Sequence, residues 1–197
     1  MACFLVCFPS LLPAQKSPDS TLASKPIPKK EFIEQGKNKF HPAKTWTIAG
    51  PGINLNKFSS LDGNLGISFH FQIKDFFYTA GLMRARQWTD GSFFPIDYNR
   101  EFVELHLGTG LKEESTRTLY GFFLGPSFSH EVYIMPENGK LATFNSVGLY
   151  VDLHAVYKPV YDIGMGIDLF ADVNFHYSVF GSRLIFFLSD AYKKEKR

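Results

Sequence analysis

The stretch from Val147 to Val173 constrains this chain more than any other. On one parity it runs Val147, Leu149, Val151, Leu153, Ala155, Tyr157; on the other, Gly148, Tyr150, Asp152, His154, Val156. After Lys158 and Pro159 the pattern resumes. Ile163, Met165, Ile167, Leu169, Ala171 and Val173 alternate with Asp162, Gly164, Gly166, Asp168, Phe170 and Asp172. A period of two belongs to a strand with unlike faces, whereas a helix returns to one face every three or four residues. The stretch therefore predicts two strands of about ten residues joined by a tight turn. Roughly 9–11 residues is also the length that carries a tilted strand across a bilayer.

Six further segments carry the same signature. Residues 44–54 read as a strand with a bulge expected at Gly50-Pro51-Gly52. Residues 64–73 set Leu65, Ile67, Phe69, Phe71 and Ile73 against Gly66, Ser68, His70 and Gln72. Residues 76–89 form a third strand of ambiguous facing. Residues 100–111 set Val103, Leu105 and Leu107 against Glu104, His106 and Gly108. Residues 118–130 set Tyr120, Phe122, Leu124 and Phe128 against Gly121, Gly125, Ser127 and Ser129. Residues 178–189 set Phe180, Leu184, Phe186 and Leu188 against Gly181 and Arg183. The prediction is an all-β, eight-stranded, closed antiparallel up-and-down barrel spanning residues 44–190.

The connections alternate in length. Residues 74–75, 112–117 and 158–159 are short; 56–63, 90–99 and 131–145 are longer, with 174–177 a shorter member of that second set. Short links on one side and longer loops on the other are the asymmetry of a bacterial outer-membrane barrel. The polar residues agree. Lys74, Lys112, Lys140 and Lys158, the lysines between Leu61 and Asp190, all fall in predicted turns or loops. The polar faces carry Gly, Ser, Asp and His, which suit a crowded lumen, while the bulky faces suit lipid. Aromatics gather near strand ends, at Phe76 to Tyr78, Tyr157, Tyr161, Phe175 and Tyr177, as in interfacial girdles.

Composition narrows the rest. A formal net charge of +2 gives no electrostatic case for nucleic acid. No apolar run approaches the length of a membrane-spanning helix. Residues 1–14 read as a signal peptide cleaved after Ala14, although no Lys or Arg precedes the apolar run. Cys3 and Cys7 both lie there, so the expected mature chain has neither disulfides nor thiolate metal sites. Residues 15–43 are rich in Lys, Ser and Pro and read as a flexible periplasmic tail, with a short helix expected over 29–40. Residues 191–197 form a basic C-terminal tail.

Between residues 44 and 190 the chain resembles the small eight-stranded outer-membrane β-barrels of Gram-negative bacteria, the group of OmpA-type transmembrane domains and OmpX-type barrels. The resemblance rests on pattern, loop asymmetry and the signal segment. It implies residence in the outer membrane, contact with its lipid, a monomer, and exposed loops able to meet an envelope or extracellular protein. The chain departs from the group at its end. Such barrels often finish on an aromatic residue, and here a basic tail follows the last strand.

The lumen-side candidates are His70, Gln72, Arg84, Arg86, Glu104, His106, Asp152, His154, Asp162, Asp168, Asp172 and Arg183. About eight strands leave an interior that side chains fill, so these residues are expected to pair. Loop centres set Arg86 opposite Glu104, Arg84 opposite His106, and Arg183 near Asp168. His70, His106 and His154 sit on three strands without local ligand spacing, and no metal or cofactor is expected. Some barrels of this group are lipid A deacylases or acyltransferases. Ser127-Phe128-Ser129-His130 cannot serve, because His130 faces away from both serines. His176 and Ser178 share a parity, and Asp172 could orient the histidine. The leading expectation is a non-enzymatic structural or interaction role without catalytic residues. The alternatives are a lipid-modifying enzyme and a soluble small-ligand-binding barrel.

Overall fold

The computed structural model describes residues 33–35, 38–56, 61–87, 100–135, 140–176 and 178–193. The alternating segments form eight strands: β1 Thr45–Asn56, β2 Leu61–Ile73, β3 Phe76–Gln87, β4 Arg100–Glu114, β5 Thr118–Ile134, β6 Leu141–Tyr157, β7 Ile163–Asn174 and β8 Val179–Ser189. Each pairs antiparallel with its neighbours in sequence, and β8 pairs with β1 to close the barrel. Closure removes the unpaired edges that an open sheet would expose to lipid.

The two faces are opposite in chemistry to those of a water-soluble barrel. Leu107 on β4 is 63% exposed and Phe186 on β8 65%, and Ile67, Leu124, Leu153 and Ile167 share that outer wall. Asp152, His154, Asp168 and Arg183 are buried inside. An apolar exterior around a polar interior is a lipid-facing arrangement, which excludes the soluble-barrel alternative. Outside, near the end where residues 74–75 turn, Phe69, Phe71 and Tyr78 stack in sequence at 5.8 and 5.7 Å.

No bulge forms at Gly50-Pro51-Gly52. β1 keeps one register along β2 from Thr45↔Phe71 to Leu55↔Leu61. Its pairing with β8 is interrupted between Gly52↔Arg183 and Ala49↔Phe186 and resumes unshifted. Proline lacks the N–H that the ladder needs, so Pro51 costs hydrogen bonds without adding a residue. Pro126 interrupts β4–β5 in the same way, between His106↔Ser127 and Thr109↔Leu124.

The tight turns 74–75, 115–117 and 158–162 gather at one end, the short-turn end. Lys74 occupies a left-handed conformation there, with φ 55°. The strand ends at Asn56 and Leu61, Gln87 and Arg100, Ile134 and Leu141, and Asn174 and Val179 gather at the other. The loop expected over 131–145 is mostly strand: Glu131 to Ile134 and Leu141 to Asn145 continue β5 and β6, which pair up to Ile134↔Leu141. Val132, Tyr133, Thr143 and Phe144 are β-favouring residues, so the ladder runs on past the rim. Pairing of β6 with β7 begins only at Gly148↔Asn174, whereas β4 pairs with β5 up to Arg100↔Tyr133, so the β5–β6 ribbon runs on beyond β7 with β4 along its other edge. Tyr133 and Phe144 stack on it with centroids 5.6 Å apart.

In place of the helix expected over 29–40, Ile33–Gln35 and Asn38–His41 form a hairpin, and Tyr192–Lys193 adds a third strand. The predicted signal segment 1–14 and residues 15–32 lie outside the described residues.

Candidate functional site

The lumen is a stack of layers built by strand parity. At the short-turn end, Trp46, Ile48, Leu119, Phe123, Val156, Ile185 and Phe187 form an apolar plug. Toward the other end Met83, Ala85, Phe102, Phe170 and Val179 form a second apolar layer that includes the Tyr150 ring. Polar groups fill the interval and both mouths.

Below the plug, Glu114 collects cations. It accepts from Lys112 Nζ at 2.8 Å, Lys158 Nζ at 2.5 Å and the Ala43 amide at 2.9 Å. Lys112 also donates to the Ala43 carbonyl and lies 5.1 Å from the Trp46 and Phe77 ring centroids. Lys112 and Lys158 were placed in turns by the sequence reading; Lys112 instead lies within β4, and both side chains are buried. Both continue the lumen parity of the preceding residues, Lys112 in phase with Glu104 and His106, and Lys158 with His154 and Val156.

In the middle, Arg183 is the hub. Its Nε donates to Asp168 at 2.7 Å, and Nη2 donates to Asp168 at 2.5 Å and to the Tyr150 hydroxyl at 2.8 Å. Asp168 and Arg183 are directly opposite in the β7–β8 register. The guanidinium carbon sits 4.5 Å over the Phe170 ring. Room for this long side chain comes from Gly52 and Gly66: a Cβ on the first would meet Arg183 Cγ, and on the second Arg183 Nη1.

Two acid–Leu–His triplets flank the hub. Glu104 and His106 lie two apart on β4, so both face the lumen, and Glu104 Oε1 accepts from His106 Nδ1 at 2.9 Å. Asp152 and His154 repeat the arrangement on β6 at 2.8 Å. A carboxylate at Nδ1 places the ring proton there and leaves Nε2 a lone pair. His106 Nε2 accepts from Ser68 Oγ at 3.3 Å, and the His106 ring lies on Tyr150 with centroids 3.7 Å apart. His154 Nε2 has no hydrogen-bond partner. Across the barrel from it, His70 on β2 stacks on Trp46 at 4.8 Å and meets the His154 ring at 5.1 Å. The donor atoms of His70, Asp152 and His154 all lie within 4.8 Å of one another.

Toward the long-loop end, Asp172 accepts from Ser127 Oγ at 2.7 Å and Asn174 Nδ2 at 3.3 Å. Opposite, Asp62 accepts from Asn54 at 3.3 Å and Asn56 at 3.0 Å. Arg100 and Glu131 pair at 3.1 Å at the rim.

Among the predicted lumen residues, Glu104, His106, Asp152, His154, Asp168 and Arg183 do line this interior. Arg84 and Arg86 do not. They face outward near the long-loop end, the Arg84 side chain is 54% exposed, and both bind Glu101. The loop before β4 is not centred on Pro95. The register sets Arg86 opposite Glu101, three residues from the expected Glu104. An odd slip flips every residue of a strand to its other face. Gln72 belongs to the rim turn, donating to the Lys74 carbonyl at 2.8 Å. Asp162 also lies at the short-turn rim, its carbonyl accepting from the Ser189 amide.

The candidate trio of His176, Ser178 and Asp172 does not assemble. Ser178 Oγ closes a turn on the Asn174 carbonyl at 2.9 Å, and the His176 ring meets Phe144 at 5.4 Å. Asp172 is committed to Ser127 and Asn174. The relay that does form, Ser68–His106–Glu104, was missed, though all three positions share lumen parity in the sequence. Trp46 and Tyr150 were legible by the same signal.

No protein-family model matches the chain, and no curated protein matches it. Solved structures do. Neisserial surface protein A superposes with a TM-score of 0.57 at 9% identity, over 75% of this chain and 97% of that one. Ail, the attachment invasion locus protein of Yersinia pestis, superposes with a TM-score of 0.55 at 10% identity, over 77% and 99%. At such identities the likeness concerns the fold. With its closed eight-strand topology, its apolar wall and these neighbours, the chain has the fold of the small transmembrane β-barrels of bacterial outer membranes.

Proposed function

We propose that this protein is a closed, non-enzymatic outer-membrane barrel that anchors exposed loops for interaction at the cell surface. The filled lumen carries the reading. Arg183, Lys112, Lys158 and Asp172 each hold a partner inside it, and apolar layers block the axis on either side of Arg183. A barrel sealed in this way has no transport path, so its interactive chemistry lies outside the membrane. The ribbon of residues 131–145 and the aromatic-rich connection 88–99 are the surfaces it presents. The short turns belong to the periplasm and the longer connections to the exterior, as is usual in such barrels.

One observation favours a lipid-modifying enzyme instead. The Ser68–His106–Glu104 chain has the donor order of a serine hydrolase. On the outer wall, an apolar groove of roughly 470 Å³ lined by Ala80, Leu107, Pro126, Phe128 and Val147 reaches His106. Against this, Tyr150 covers the imidazole and Ser68 is buried. Mass spectrometry of lipid A from cells with and without the protein separates the two. The anchor reading predicts identical acyl patterns; an acyl change abolished by Ser68→Ala contradicts it.

A further inference from the structure

We propose that His70, His154 and Asp152 form a binding site for a single divalent transition-metal ion, of which zinc is the representative, sealed in the barrel lumen. The site is independent of the anchor reading, because neither loops nor lipid chemistry enter it.

The first observation is unmet hydrogen bonding. Both ring nitrogens of His70, Nε2 of His154 and Oδ2 of Asp152 are buried without a partner. The Trp46 backbone lies beside the His70 ring without completing a bond of normal geometry. A buried polar atom left unsatisfied is destabilising, and here the orphans converge from two opposite walls. The other lumen histidine, His106, has both nitrogens engaged.

The second observation is the donor set. Two imidazoles and a carboxylate are borderline-hard ligands that suit zinc and its first-row neighbours. Donors around a tetrahedral zinc stand about 3.4 Å apart, so the present spacing of up to 4.8 Å closes by about 1 Å of side-chain movement. The rings are already placed for it, with centroids 5.1 Å apart and planes inclined at 68°. Asp152 now accepts from His154 Nδ1 through Oδ1 at 2.8 Å, and to ligate the ion it exchanges that bond for the metal, to which its unpartnered Oδ2 is free to turn. Stacking on Trp46 fixes the His70 ring.

The third observation is space. Gly121 lies against the His154 edge, and a Cβ there would meet Nε2 and Cε1. The bare backbone leaves that nitrogen open. Access from bulk is shut by the Trp46 plug on one side and the Arg183 layer on the other. An ion is therefore taken up as the barrel closes and is then held against chelators.

The test uses the full chain, refolded from denaturant into detergent with zinc or cobalt(II), washed with a chelator, and assayed for metal content and visible absorption. Folding is read independently by the gel shift between unheated and boiled samples. The wild type should retain about one ion per chain. The cobalt form should show the intense visible bands of a low-symmetry nitrogen- and oxygen-ligated ion. His70→Gln and His154→Gln should each lower affinity by about 100-fold or more, and Asp152→Asn by about 10–100-fold. His130→Gln, on the outer wall, should match the wild type. A folded wild type that retains no metal overturns the proposal, and would assign the orphaned atoms to ordered water. So would metal retained undiminished in both folded histidine variants. If those variants fail to fold, the wild-type content and cobalt spectrum decide alone.

Discussion

At the scale of single residues, the barrel depends on a few long polar side chains finding partners in a medium that punishes failure. Arg183 shows this best. It bonds Asp168 and Tyr150 at once, and two glycines on the next two strands, Gly52 and Gly66, make room for it. Asp168→Ala should cost about 3–5 kcal/mol in urea unfolding from phospholipid vesicles, because a buried guanidinium would lose its counter-charge. Asp168→Leu combined with Arg183→Met should be less destabilised than Asp168→Ala alone, since replacing both charges leaves no orphan. A double variant that unfolds more readily than the single one would show that Arg183 contributes through packing instead. Lys74 carries the opposite kind of cost, a left-handed backbone on a residue with a Cβ. Lys74→Gly should stabilise by about 0.5–1 kcal/mol in the same assay, and a loss of that size would contradict the strain account. The Arg183–Asp168 pair was legible in the sequence because the β7–β8 connection is short. Arg84 and Arg86 were not, because the twelve-residue connection 88–99 leaves the register free.

At the scale of the strands, period-two patterning supplied nearly everything. The lipid-facing rows on β2, β4, β6, β7 and β8 were readable as alternation, and the structure keeps those faces. Alternation could not mark where β5 and β6 end, because the β-favouring pattern continues past the bilayer through Phe144. Nor could it separate a bulge from a proline that merely skips its bonds, as at Pro51. Facing itself is testable. Ile167 is 53% exposed on the wall of β7, and Ile167→Arg should cost about 2–4 kcal/mol if it lies near mid-bilayer. Exposed wall positions near the rim, such as Ile53, should tolerate the same change at about 0–1 kcal/mol. Equal costs at both depths would mean that the wall does not span the bilayer as described.

At the scale of the whole molecule, the barrel is solid-cored. Its exterior is made for lipid and its interior is filled. Fold class and membrane location were readable from pattern and composition. The arrangement of the interior was only partly so, because parity shows which residues share the lumen but not which of them meet. The Glu114 cluster lies where β4 runs on through residues assigned to the turn 112–117, and the His70–His154 encounter required four strands of curvature between β2 and β6. The central claim is that the lumen is sealed. Planar-bilayer recording of the refolded protein tests it most directly, with insertion verified by the gel shift of the reconstituted sample. The account predicts no stable conductance step at any applied voltage that the bilayer survives. Regular, long-lived openings with the amplitude of a water-filled pore would contradict it.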